Sequence, residues 1–412
     1  MFGQAHTETK PSRLKTGKME EMAFGMDKAE LNGPGSGKKI GMVSKTNSAQ
    51  GILALFPFLV NQSLPIAVMR EMRARNHDVT IARYLPLANG HSMDAMEDFA
   101  AEGRLIDLEE HLGESGTDAL DRIVEERGIG LILQIGAPWA YPQLARLKER
   151  RSALRMLDTL YNNGPHFHSF SLRGGCFDGV LVESAEMVRL LEGTSHGVRV
   201  TQVESGVDIA RFVPAGRSAA APEPDLVLGY VGRMSPEKNP LGFVSLAEHL
   251  HAELPWLRCV MYGEGAMTAQ VKARIAAGPA AAAIRFAGFA SHPTDALAEI
   301  DVLVVPSVLD GRPAAVMEAS ASGIPVIGAP VGGIPELVEE GRNGHVVIPR
   351  DHARIAALLA GWRQDLGGFA RLRATARLVA EARFDRQRMM DAYETAYRET
   401  LERTARAVAI CA

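Results

Sequence analysis

Five short apolar runs, each closed by glycine or proline and each followed by a stretch of helical character, dominate the second half of this sequence. They are 226–233 (LVLGYVGR), 257–263 (LRCVMYG), 284–288 (IRFAG), 302–306 (VLVVP) and 325–329 (PVIGA). Buried strands alternating with helices imply a parallel α/β sheet, because a parallel pair needs a crossover long enough to hold a helix. The first half repeats the pattern less cleanly. It reads as a strand at 39–44 (KIGMVS), a loop at 45–63, a helix at 64–75 and a strand at 79–82. Helix 118–127 then leads into strand 130–135, helix 142–150 into strand 153–157, and a last strand covers 179–183. The apolar stretch 51–60 (GILALFPFLV) is expected to be a buried helix after the first strand.

Two doubly wound domains in series are therefore expected, facing each other across a central cleft at their carboxyl edges. Residues 1–37 read as a loose polar tail, 38–213 as the first domain, 214–225 as an Ala/Pro-rich linker and 226–383 as the second domain. In 384–412 the apolar positions Met389, Tyr393, Tyr397, Leu401, Ala405 and Val408 fall three or four apart. They form one face of a C-terminal helix that is expected to return to the first domain.

Composition narrows the partners. The net charge is −4 and no basic run is long, so no nucleic acid is expected. Cys176, Cys259 and Cys411 are far apart and odd in number, which fits neither a disulfide framework nor a metal pattern and points to a reducing cytoplasm. No apolar run has the ~20 residues needed to span a bilayer, and the N-terminal residues lack the apolar core of a secretory signal, so no transmembrane segment is expected. Peripheral contact with the inner membrane face, or with a lipid acceptor, through 51–60 stays open. The stretch GPGSGKK (33–39) is not a phosphate loop: Asn32 stands where the first glycine belongs and Lys39 replaces Ser/Thr.

The chemistry-bearing residues sit at strand ends. In DGRPAAVME (310–318) a Gly-Arg-Pro turn separates Asp310 from Glu318, which lies about one and a half turns into a helix. Carboxylates so placed can each take hydroxyls of a ribose or a hexose, while N–H groups at the helix start can meet phosphate. The same residues also suit a plain helix start, with Asp310 as N-cap and Glu318 solvated. In GRMSPEKN (232–239), Gly232 permits close approach of a ligand, Arg233 offers a planar fork and Lys238 a mobile point charge, a pairing suited to a diphosphate leaving group. A solvated surface turn is the other reading. Gly263, Phe286 and Gly288 close the next two strands, and Gly332-Gly333-Ile334-Pro335-Glu336 opens a helix whose N–H groups can face anions.

Taken in order, GRMSPEKN, YGEG, IRFAG, DGRPAAVMEASASGIPVIG and GGIPELVEEGRNGHVV resemble the nucleotide-sugar half of the GT-B fold glycosyltransferases, in the retaining glycosyltransferase family 4 (glycosyl transferases group 1). The resemblance is strong over 226–350 and reaches the first half through NHDVTIA and SGVDIARFVP. It implies transfer of a sugar from a nucleotide diphosphate sugar to a hydroxyl of a glycan, a lipid-linked or a small-molecule acceptor, with retention at the anomeric carbon. Arg233 and Lys238 would grip the diphosphate and Glu318 the ribose. Asp310, standing where the family usually has glutamate, would meet the donor sugar. Backbone groups from Gly311, Arg312, Pro313, Ala314 and Ala315 would lie beside sugar and phosphate. The family's His-Asp pair is broken here: Asp158 matches the Asp, but Leu157 replaces the His. His166 and His168, with Asn162 and Asn163, are the acceptor-side candidates. No cofactor and no metal are expected beyond the nucleotide-sugar co-substrate. A nucleotide-sugar epimerase, or a nucleotide-sugar-binding protein without turnover, are the alternatives on the same fold.

Overall fold

The computed structural model describes residues 50–56, 63–83, 96–108, 116–194, 196–221 and 225–403. The tail, the strand expected at 39–44, the GPGSGKK stretch and residues 404–412 lie outside them. The first sheet contains β1 (Gly51–Phe56), β2 (Val79–Arg83), β3 (Leu105–Asp107), β4 (Ile129–Gln134), β5 (Arg155–Leu160), β6 (Gly179–Val182) and β7 (Arg199–Gln202). It is parallel throughout, in the order β3-β2-β1-β4-β5-β6-β7. Helices α1 (Ser63–Ala74), α2 (Glu97–Ala101), α3 (Gly116–Glu126), α4 (Tyr141–Arg150), α5 (Pro165–Arg173) and α6 (Ala185–Leu191) lie between these strands.

The second sheet contains β8 (Val227–Val231), β9 (Arg258–Tyr262), β10 (Ile284–Gly288), β11 (Val302–Val305), β12 (Val326–Gly328) and β13 (Gly344–Val346), ordered β10-β9-β8-β11-β12-β13 and also parallel. Its helices are α7 (Pro240–Glu253), α8 (Thr268–Ala277), α9 (Pro293–Ala298), α10 (Ala314–Ala321), α11 (Ile334–Leu337), α12 (His352–Gln364) and α13 (Leu366–Arg383). The chain then forms α14 (Arg386–Glu402).

Residues 51–56 of the stretch 51–60 expected to be a buried helix are instead β1, the strand between β2 and β4 with every residue buried; 57–60 lie outside the described residues. A strand covered on both faces shows no alternation and reads as a continuous apolar run. Six residues before a proline are too few for a helix but enough for a strand. Ile52, Ala54 and Phe56 pack on one face with α1 and α14, and Leu53 and Leu55 on the other with α3, α4 and α5.

Helix α14 does return to the first lobe. Met389, Met390, Tyr393 and Tyr397 complete the core over β1, and Arg75 on the flank of α1 pairs with Glu394 at 2.6 Å. The two passages between lobes run side by side: Val207 N–H donates to Phe384 O at 2.8 Å, and Arg386 N–H donates to Val207 O at 2.9 Å. Residues 214–221, read as part of a linker, lie against the second lobe, where Arg217 pairs with Asp301 at 2.6 Å.

Candidate active site

β8 and β11 are neighbours, yet α7 packs on one face of the second sheet and α10 on the other. The two loops diverge at this topological switch point and open a crevice beyond the carboxyl ends of the strands. Gly232, Lys238, Ser307, Asp310, Pro313, Ala314 and Ala315 line it. Lys238 Nζ reaches across the crevice to Asp310 Oδ2 at 2.7 Å, and Ser307 Oγ donates to the same oxygen at 2.9 Å. Asn239, in the left-handed region at φ 51°, fixes this geometry. Its Oδ1 accepts from Gly242 N–H at the start of α7, and its Nδ2 donates to Pro306 O at the end of β11. Asp310 is therefore a crevice carboxylate and not an N-cap; the N-cap position of α10 is Pro313. Pro313 has no N–H, so the donors left at that helix start belong to Ala314 and Ala315.

Arg233 stands in solvent with its side chain 61% exposed, 3.2 Å from Glu237. Burial of the Glu237 carboxyl works against ionisation. The Ser235 hydroxyl, its own N–H and the charges of Arg233 and Lys238 outweigh that and hold it below the usual carboxylate range. Gly263 and Gly288 act through the backbone. Both have positive φ, Gly263 N–H donates to Gly288 O at 2.8 Å, and a Cβ on Gly263 would lie 1.9 Å from Gly232 O. Phe286 packs on the core beside α8, with Lys272 over its ring.

Glu318 is half-buried on α10, and its carboxyl is pushed up to about 7 by burial, against the pull of Arg211. The helix-start reading with a solvated Glu318 is thus excluded. A folded-state value above the ordinary 4.5 means the native protein binds the extra proton, so stability falls as pH rises from about 4.5 through about 7. At 1.36 kcal/mol per unit, Glu318→Gln should stabilise the unliganded protein by roughly 3 kcal/mol at about pH 8 and by almost nothing at about pH 4. Melting curves of both proteins across pH check this.

The side chain of Arg312, whose backbone is the part expected beside the donor, does not line the crevice. It is 0% exposed and turns away to Glu204 at 3.4 Å and Glu336 at 3.7 Å. Glu336, expected only as part of an anion-facing helix start, is itself the anion at another helix start. Its carboxylate accepts from Ala185 N–H at 3.0 Å and Glu186 N–H at 3.1 Å, at the beginning of α6 in the first lobe.

The first-lobe wall is the β5–α5 loop. Gly311 approaches it so closely that a Cβ would lie 2.1 Å from Tyr161 O. Asp158 is 0% exposed and accepts from the Tyr141 hydroxyl at 2.5 Å and from Thr159 N–H at 2.8 Å. His166 Nε2 lies 3.0 Å from Asp158 Oδ1, off the line of a hydrogen bond. Asp158 is thus enclosed, with the His166 ring beside it. His168 and Asn163 are exposed, while Asn162 Oδ1 accepts from Gly164 N–H to turn the chain into α5. Ser307 and Glu336 were missed by sequence reasoning. The Pro-Ser ending of β11 was a usable local signal for the first, whereas the second depends on contact between lobes. Among the described residues, no group of three or more His, Cys, Asp or Glu is placed to hold a metal, and no helix is long and apolar enough to cross a membrane.

Comparison with known proteins agrees with this architecture. Residues 216–377 match the family model described as glycosyl transferases group 1. A D-inositol 3-phosphate glycosyltransferase from Geodermatophilus obscurus is 33% identical over 236 residues, covering 50% of this chain and 52% of that protein. A putative colanic acid biosynthesis glycosyltransferase, WcaL, from Salmonella typhimurium is 34% identical over 163 residues, covering 38% and 40%. The chain thus spans about half the length, or less, of these curated relatives. Anabaena Alr3699/HepE in complex with UDP superimposes with a TM-score of 0.69 at 16% identity, over 85% of this chain and 100% of that one, a likeness of fold. The second lobe, with the motifs of 216–377 in place around the switch-point crevice, thus matches the glycosyl transferases group 1, and the two parallel Rossmann-like sheets form a GT-B frame.

Proposed function

We propose that the protein is a retaining glycosyltransferase that moves a sugar from a nucleotide diphosphate sugar to a hydroxyl of a glycan, lipid-linked or small-molecule acceptor. One observation carries this reading: Lys238 and Asp310 meet at 2.7 Å across the switch-point crevice. A diphosphate entering there draws the ammonium away and leaves the Asp310 carboxylate to accept sugar hydroxyls. Arg233 at the mouth and the N–H groups of Ala314 and Ala315 add positive potential where charge builds on the leaving group. Glu318 takes the ribose hydroxyls. The bond from the anomeric carbon to the diphosphate oxygen breaks with its electron pair leaving on the diphosphate. The acceptor oxygen forms its bond on the same face, and its proton passes to the departing phosphate oxygen. His166, held by Asp158, borders the acceptor. The chemistry asks for no cofactor. The glycosyltransferase names of the relatives and a fold neighbour that binds UDP support this reading.

The test is a melting screen of UDP, GDP, ADP and their sugars, followed by incubation with and without acceptors. One nucleotide series should raise the melting temperature, since ligand at 100 times its Kd adds about 2.7 kcal/mol of stability. Its sugar should then appear on an added acceptor with the anomeric configuration kept. No shift with any nucleotide diphosphate would end the reading. A second nucleotide sugar formed from donor alone would mark an epimerase instead.

A further inference from the structure

Behind the DGRP turn lies a charged cluster that the family motifs leave unused. Glu183 follows β6 in the first lobe, is 4% exposed, and has no hydrogen-bond partner at Oε1. Arg312, two residues after Asp310 in the second lobe, is enclosed; its Nε and Nη1 make no hydrogen bond, and Nη1 has only the Glu336 carboxylate at 3.7 Å. Its Nη2 reaches Glu204 Oε2 only at 3.4 Å. The carboxylate of Glu336 is already engaged by the start of α6. Within electrostatic reach of Glu183 are Arg312 and Asp310 from the β11–α10 loop, Tyr161 just after β5 and Tyr393 from α14. Arg383, from α13, adds a second cation near Arg312.

Buried donors and a buried acceptor left without partners are unfavourable. Here they come from opposite lobes and have complementary chemistry. We propose that Glu183 is a positioning residue: it acts through Arg312 to set the Asp310 carboxylate against the donor sugar. This rests on the reading of the crevice as a nucleotide-sugar site. Burial, with Asp310 adding to it and Arg312 opposing it, pushes the Glu183 carboxyl up to about 8. Near neutral pH it is therefore largely protonated, and the guanidinium is left with its longer contacts to Glu204 and Glu336. Ionisation supplies that partner and draws the Asp310 loop onto the first lobe. Turnover should accordingly rise with pH through the Glu183 titration.

The experiment is a pH profile of kcat and of donor Kd on the full chain, for wild type, Glu183→Gln and Arg312→Lys. Glu183→Gln keeps the shape and removes the titration; Arg312→Lys keeps the charge and removes the fork. Wild-type kcat should rise about tenfold across the titration, the usual size of a coupling between sites. Glu183→Gln should stay at the low-pH rate with the break gone, and Arg312→Lys should blunt the rise. Donor binding with turnover whose break survives in Glu183→Gln overturns the positioning role and leaves the glycosyl reading standing. Equal flat profiles in wild type and Glu183→Gln do the same. Wild type that binds no nucleotide diphosphate sugar at any pH removes both.

Discussion

Replacing Lys238 with alanine should lower kcat for sugar transfer by about 10²–10³, the effect of deleting one preorganised charge-stabilising donor. In the proposed reaction the ammonium is the group that moves: it pairs with Asp310 across the crevice and would turn to a diphosphate entering there. Its loss also leaves Asp310 with only the Ser307 hydroxyl as a side-chain partner. Stability should therefore drop as well, since breaking a buried pair costs more than the pair itself contributes. Two measurements separate these effects. Steady-state kinetics at saturating donor report the loss of leaving-group stabilisation. A double-mutant cycle with Asp310→Ala should show strong non-additivity, because the two side chains touch. Additive losses, or a kcat within a few-fold of wild type, would remove Lys238 from the chemistry.

The Gly332→Ala protein should lose donor binding almost completely while keeping both lobes folded. Gly332 has φ +57°, and a Cβ there would lie 1.7 Å from the carbonyl oxygen of Asp310. Its neighbour Gly333 donates its N–H to Gly311 O at 2.7 Å, so the loop after β12 clamps the turn that carries Asp310. The strained dihedral alone costs roughly 1 kcal/mol. The clash cannot be relieved by a side chain, since the atom it meets is backbone, so the DGRP turn has to shift. That shift displaces Asp310 and the 311–315 backbone proposed to hold the donor, and a misplacement of about 1 Å also costs on the order of 10²-fold in rate. Calorimetry with the donor nucleotide and a melting curve check the two halves of this expectation. Unchanged affinity would mean that the two loops are not coupled.

The second lobe was legible because each of its inner strands ends at a glycine or proline that the site itself requires. Gly232, Gly263 and Gly288 are spaced by backbone approaches at the sheet edge, so the punctuation seen in the sequence and the geometry seen in the fold have one cause. The first lobe was less legible. β1 has no polar partner positions, and β3 and β7 are half-exposed edge strands with mixed composition. The approach of His166 to Asp158 depends on how α5 leaves the β5 loop, which no local spacing encodes. The contacts of Arg312 with Glu204 and of Glu336 with the start of α6 join residues more than a hundred positions apart. Only a carboxylate directly after the apolar run GVLV hinted that something waited for it.

The paired passages at Val207 and Phe384–Arg386 have a mechanical consequence. A single connecting strand would act as a tether and let the halves twist and slide. Two strands stitched to one another form a seam, and Gly206 sits against it too tightly for any larger residue. Relative motion is thereby reduced to swinging about one line, like the covers of a book about its spine. The facing pages then meet in the same alignment at every turnover.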